Sequence, residues 1–413
     1  MTMPANFLHG VETIEIDKGP RPIRTVKTAV VGLIGTAPTG PINTPTIVLS
    51  EKDAAAFGSI TDAASAGHTI PQALDAIFDH GAGTVIVVNV FDPAVHTVTN
   101  EPGKTQINAS HIIGTVDAAG NRTGMKALED TYNLFGFNAK LLIAPGYATL
   151  TSVTAELIAM AAKLRAMAII DAPSGLTVQQ AVEGRGPSGS INFNTSSERA
   201  ILCYPHLKVY DPRTDAERLE PMSPRLAGLM CATDTERGYW WSPSNQEFKG
   251  ITGVERPITA RVNDPQSEAN LLNENGIVTV FNSFGTGYRA WGNRSAAWPS
   301  VSHPKNFINV RRVADVLHES VEYAMLQFID RPINDALIDD IKGSVNAFIR
   351  TLIGRGALID GACTYDPAKN PPTELASGHL TFDITFMPPA PAERISFESF
   401  IDINLLSRLG GQQ

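Results

Sequence analysis

The chain has 413 residues, 43% of them apolar and 18% charged, with a net charge of −9 at pH 7. A length of this order predicts two or three domains whose cores need neither disulfide nor metal. No run of about 18 apolar residues occurs, so membrane insertion by a spanning helix is not expected. No segment carries the basic excess that phosphate-backbone binding demands, so nucleic acid is not expected as a partner.

The start, Met1–Phe7, lacks a basic stretch followed by an apolar one, and no secretory signal is expected. Cys203, Cys231 and Cys363 lie far apart with no CxxC. That pattern predicts buried thiols in a reducing compartment and argues against a disulfide framework or a zinc site.

Residues 1–22 form an N-terminal arm. Val11–Asp17 (VETIEID) alternates like a strand, with Ile14 and Ile16 on one face and Val11 on the other. It would span about 23 Å. The Pro-rich tether Gly19–Pro22 holds it off the next domain. An α/β pattern occupies 23–255. Thr28–Gly35 and Thr84–Val90 are buried strands, Ser50 caps a short helix, and Thr69–His80 is a second helix closed by Gly81. Strand, helix, strand predicts a parallel sheet. Residues 92–135 break the rhythm, with a turn at Asp117–Asn121, and are expected to form a small β insertion.

The α/β rhythm then resumes. Lys140–Ala144 and Met167–Asp171 are strands around a helix at Thr151–Ala166; a short helix at Val178–Gly184 leads to strands at Arg199–Tyr204 and Leu207–Tyr210. Residues 211–305 are loop-rich, with a helix at Pro224–Thr235 and a strand near Ile277–Asn282. The last domain, 256–413, holds two long helices, Asn309–Asp330 and Asn334–Ile353. Each shows one apolar stripe: Val313, Leu317 and Val321 in the first, Leu337, Ile341, Val345, Phe348 and Leu352 in the second. Asn334 is the expected N-cap and Gly354 the expected stop.

The end alternates. His379–Phe386 sets Leu380, Phe382 and Ile384 on one face; after Met387–Glu393, Arg394–Leu406 sets Ile395, Phe397, Ile401, Ile403 and Leu405 on one face. A final strand so apolar would template aggregation as a bare edge, so it needs a partner strand.

Catalytic signatures are missing. There is no GxxxxGK[ST], no HExxH and no GxSxG. Gly32–Gly35 and Gly285–Gly292 lack the GxGxxG spacing and are expected to be structural turns. His80 ends a helix and is expected as a favourable cap charge. Asp339 and Asp340 are neighbours on a helix, about 100° apart, and cannot face one substrate together. Arg311-Arg312 has the same geometry, as either a patch for an acidic partner or plain solvated charge. Trp240, Trp241, Trp291 and Trp298 fit loop anchors or interface anchors. Neither a catalytic residue nor a cofactor or metal site is expected, and two pairable terminal strands favour assembly over catalysis.

Six stretches together resemble the contractile phage tail sheath proteins, particularly those of P2-like myophages and R-type tailocins. They are Pro221–Gly228 (PMSPRLAG), Thr233–Asn245 (TDTERGYWWSPSN), Leu272–Ile277 (LNENGI), Gly287–Arg294 (GYRAWGNR), Phe307–Arg312 (FINVRR) and His318–Pro332 (HESVEYAMLQFIDRP). The resemblance implies a two-domain fold. An outer α/β domain (23–255, with the 92–135 insertion) is inserted into an inner α+β domain made of 1–22 and 256–413. The terminal arms add strands to the sheets of neighbouring subunits. Carried over, the arm residues are Val11, Ile14 and Ile16 at one end and Ile395, Phe397, Ile401 and Ile403 at the other. The acceptor strand holds Leu380, Phe382 and Ile384.

The implied function is a self-assembling helical sheath that contracts and drives an inner tube through a cell envelope. The implied partners are further copies of the chain, the tail tube protein, and the baseplate and tail terminator proteins. The tube contact is expected on Asn334–Ile353 or the preceding helix, with Lys342, Arg350 and Arg355. The place is a virion tail or tailocin particle assembled in the bacterial host cytoplasm. Two other readings stay open: a nucleotide-binding α/β enzyme built on Thr28–Gly35 and Thr84–Val90, and a sheath component of a bacterial secretion or injection machine.

Overall fold

The apolar run at the head of the second domain forms strand β1 (Val30–Gly35), buried on both faces. A strand can be apolar throughout only where helices cover both sides of its sheet. A computed structural model describes residues 21–409 apart from 82, 100, 283, 284 and 286. In it β1 lies inside an eight-stranded sheet. In chain order the elements are β1, β2 (Thr46–Val48), α1 (Ile70–Phe78), β3 (Thr84–Asn89), β4 (Leu141–Ile143), α2 (Thr151–Leu164) and β5 (Met167–Asp171). Then follow α3 (Val178–Glu183), β6 (Ala200–Cys203), α4 (Ser223–Glu236), α5 (Glu268–Glu274), β7 (Ile277–Asn282) and β8 (Tyr288–Trp291). The sheet order is β8-β7-β6-β5-β4-β1-β3-β2. From β7 to β3 neighbouring strands run parallel; β8 and β2 close the two edges antiparallel.

Alternate residues serve opposite layers. Val31, Leu33, Val85 and Val87 pack with Leu74 and Ile77 of α1 and Leu226 and Met230 of α4. Val30, Ile34, Ile86 and Val88 pack on the other face with α2 and α3. Two caps tighten this body. Asp171, at the end of β5, accepts from the backbone N–H (2.8 Å) and hydroxyl of Ser223 and so seats the first turn of α4. Burial pushes the Asp171 carboxyl above its ordinary pKa. Thr177 and Gln180 form a reciprocal capping box on α3.

A second, smaller core lies between the helices α6 (Ile308–Met325) and α7 (Asp335–Gly354) and a hairpin of β9 (Asp360–Tyr365) and β10 (Phe382–Met387). Val313, Val316 and Leu317 of α6 face Val345, Phe348 and Leu352 of α7. Asn334 caps α7 as expected, accepting from the Leu337 N–H at 2.8 Å. Gly354 is still helical, and Arg355 is the C-cap.

Four expectations need correcting. Residues 92–135 are not a β insertion: the two paired strands there, His96–Thr97 and Thr105–Gln106, have two residues each. Short helical turns follow at Ala109–Ile113, Gly124–Asp130 and Thr131–Phe135, joined by loops, because Ile112, Met125 and Leu128 are drawn into the main core. The α/β sheet runs past residue 255, since β7 pairs parallel with β6 and β8 follows it. Leu380 precedes β10 instead of lying in it. Residues 388–402 form neither strand nor helix, and Ile403–Arg408 is a 3₁₀ turn. A strand needs a partner strand for its backbone, and this segment has none among the described residues.

Candidate assembly interface

The segment after Glu393 presents apolar side chains to water. Ile395, Phe397, Phe400, Ile401 and Ile403 are all exposed, Phe397 at 91% and Ile401 at 96%. Burying such side chains is worth about 1.5–3 kcal/mol each. The described arm, 394–409, reaches about 50 Å when extended. Beside it, β9 and β10 form a ladder of two strands, registered from Asp360 opposite Met387 to Tyr365 opposite Phe382. Phe382 and Ile384 pack down onto the α6–α7 core, so the apolar face is spent internally. Among the described residues neither edge carries a third strand, but the Asn346 carboxamide of α7 takes the Cys363 N–H and carbonyl at 2.8 Å each and blocks the β9 edge, which leaves the β10 edge open. An isolated two-stranded ribbon is marginal and gains from added strands. The structure therefore brings Phe382 and Ile384 into one open-edged hairpin and leaves Ile395, Phe397, Ile401 and Ile403 free of it. Val11, Ile14 and Ile16 lie outside the described residues.

Helix α6, against which this hairpin packs, is tied to the sheet domain by charge. Arg199 forks onto Asp315 at 2.6 and 2.7 Å, and Arg311 bridges Asp315 (2.8 Å) and Glu198 (3.0 Å). Arg312 forks onto buried Asp234, and Lys140 pairs with Glu319 out of water. Burial pushes the Lys140 ammonium down, and the facing Glu319 carboxylate pushes it back up. Arg311 and Arg312 are thus neither a docking patch nor solvated charge. One face of α6 is apolar toward α7, and the other is ion-paired to the sheet domain.

The three basic residues expected at a tube do not form one cluster. Lys342 pairs with Asp339 on its own helix at 2.8 Å, and Arg350 is exposed eight residues on. Arg355 sits at the C-cap, about 140° round the axis from Lys342.

The place where a doubly wound sheet binds a ligand is plugged. That crevice opens between β1 and β4, where the strand order reverses. Thr36 and Thr69 exchange hydrogen bonds across it, N–H to hydroxyl, at 3.1 and 3.2 Å. A Cβ on Gly35 would collide with the Thr69 hydroxyl. Asn89 accepts from the Ala37 N–H at 2.9 Å. The N–H groups of Thr36, Ala37, Thr69 and Ile70, which might cradle a phosphate there, are already used. Among the described residues no group of three His, Cys, Asp or Glu side chains is placed to hold a metal. His80 is no exposed cap: it is buried, its Nδ1 meets the Ala76 carbonyl at 3.1 Å, and its Nε2 accepts from the Lys249 N–H.

Residues 120–296 match the central domain of the phage tail sheath protein family and residues 300–402 its C-terminal domain. The tail sheath protein of Burkholderia phage BcepMu is 50% identical, over 99% of this chain and all of the relative. That of Escherichia phage P2 is 30% identical over 98% of each. Among solved structures, the contracted helical sheath of the anti-feeding prophage superposes with a TM-score of 0.68 at 21% identity, covering 96% of this chain and all of that one. The contracted PVC sheath of an extracellular contractile injection system gives 0.67 at 16% identity, covering 98% and 100%.

Proposed function

The chain belongs to the phage tail sheath family, and from that premise we propose that it polymerises into a helical cylinder by lending its terminal arms to its neighbours' hairpins. A sheath subunit is a structural protein and not an enzyme, and the plugged crevice leaves the nucleotide-binding alternative without support. The observation that carries the proposal is the exposed apolar arm after Glu393 beside a hairpin whose β10 edge is open among the described residues.

Strand exchange fits a sheath that must shorten without tearing. Each added backbone hydrogen bond contributes about 0.5–1.5 kcal/mol, and the apolar arm residues add their burial. The extended lattice is metastable and the contracted one buries more surface between subunits. The inner tube is met by α7 or α6; of the three basic residues, Lys342 and Arg350, about 80° apart on α7, can face acidic tube residues together, with Arg355 turned away from Lys342. Baseplate and tail terminator proteins close the two ends. The particle is a virion tail or a tailocin, assembled in the bacterial cytoplasm. A sheath of an injection machine shares the fold, but half of all aligned residues identical to a phage sheath favours the tail.

The test is truncation after Glu393. Full-length protein is expected to form long hollow tubes in negative stain. The truncated chain is expected to stay a soluble subunit with an unchanged melting temperature. Removal of residues 1–17 is expected to do the same. Ordinary tubes from either truncation would contradict strand exchange.

A further inference from the structure

The described chain begins at Arg21 and passes beyond Glu393 at opposite ends of α6, and a separate contact holds each point. At the C-terminal end, the Gln327 carboxamide pairs with the Arg21 backbone in both directions. The Arg21 N–H donates to its Oε1 at 2.9 Å, and its Nε2 donates to the Arg21 carbonyl at 3.3 Å. The chain then runs back along the helix, where the Val26 N–H donates to the Ser320 hydroxyl at 3.2 Å. At the N-terminal end, Asn309 donates to the Pro389 carbonyl at 3.1 Å. Four residues on, Arg294 forks onto Glu393, with Nε to Oε1 at 2.8 Å. The guanidinium lies over the rings of Trp298 and Phe307, 3.8 and 4.4 Å from their centres. A forked, stacked guanidinium has one geometry, unlike an ordinary surface pair.

We propose that Gln327 and the Arg294–Glu393 pair are arm clasps, positioning residues that fix where and in which direction each arm leaves the subunit. The inference rests on the reading of the arms as exchanged strands. Helix α6 has 18 residues, so the exits stand about 27 Å apart, and the ion pairs to the sheet domain keep that strut fixed to the body. Opening the Glu393 clasp frees the chain back to Pro389, adding up to about 14 Å of slack. A slack root lowers the effective concentration of the arm at its acceptor edge and loosens its register. The clasps therefore serve lattice order, not subunit stability.

Two measurements on the full-length chain test this. Nitroxide labels on S302C and R394C, with the native cysteines buried, report the C-terminal exit in dilute subunits by pulsed electron resonance. The distance distribution is expected to be narrow and to broaden at least twofold in Glu393→Ala, at an unchanged melting temperature; equal widths overturn the clasp. In assembly, Glu393→Ala and Gln327→Ala are expected to give short tubes with irregular helical repeat, and Gln327→Glu, which keeps the contact to the Arg21 N–H, an intermediate order. Tubes of native length and order from both alanine variants overturn the proposal. Should the unmutated chain itself form no tubes, strand exchange fails, while the label widths still decide the clasp.

Discussion

Lys140 and Glu319 meet across the joint between the sheet domain and α6, with side chains only 7% and 8% exposed. Removing one member of such a pair leaves a charge out of water, which typically costs about 3–5 kcal/mol. Lys140→Met is expected to destabilise the subunit by that order in urea unfolding, and K140M/E319L to recover most of the loss; a mild single variant would contradict the pairing. A second residue-scale test uses pH. Burial holds His80 at a pKa of about 4, below its ordinary 6.5. Burial, and then Asp79 beside it, raises Asp75 from 3.8 to about 6. Arg225, Glu220, Arg218 and Lys249 complete the charges around them. The stability owed to neutral His80 is full above pH 6.5 and is lost as pH falls through about 4. That owed to protonated Asp75 is full below 3.8 and is lost as pH rises through about 6. The slopes oppose each other between pH 4 and 6. Asp75→Asn removes one, so its unfolding midpoint is expected to fall more steeply than the native one on acidification over that range; equal slopes would contradict the assignment. None of this was legible from single residues. His80 beside Gly81 has the pattern of a solvated cap, and only the packing of α4 over α1 buries it.

At the scale of elements, periodicity served well wherever one chemistry covered a face. The stripes of α6 and α7, the Asn334 cap and the parallel strands all follow from spacing. It failed where partners come from afar: Arg311, Arg312, Asp315 and Glu319 share a helix face that looks solvated until Glu198, Arg199, Asp234 and Lys140 arrive opposite. It failed again at 92–135, where short helical turns replace the expected β structure because three apolar side chains are claimed by the main core. Close approach is equally invisible in sequence. At the α1–α4 crossing a Cβ on Gly228 would stand 2.8 Å from the Ile77 carbonyl oxygen and 3.0 Å from the His80 Nδ1. Gly228→Ala must push the helices apart and is expected to cost about 1–3 kcal/mol, read as a lower unfolding midpoint; no change would mean the crossing is loose. Asn334→Ala is expected to cost about 0.5–2 kcal/mol through the lost cap, checked in the same way.

At the scale of the molecule, the subunit is a rigid body with an unsatisfied segment after Glu393. The sheet domain, α6 and α7 are locked together by two apolar cores and a row of buried ion pairs, whereas the apolar residues after Glu393 find no place in either core. The alternation of Ile395, Phe397, Ile401 and Ile403 was legible in the sequence. The strand it predicts is absent because strand geometry is a property of a pair, and on the proposed reading half of this pair belongs to another copy. Backbone amide hydrogen exchange over residues 394–402, in the dilute subunit and in assembled tubes, tests this most directly. Exchange is expected to be fast in the subunit and slowed by several orders of magnitude in the tubes, where a neighbour's β9–β10 hairpin supplies the missing acceptors. Equally fast exchange in both would show that the arm joins no sheet.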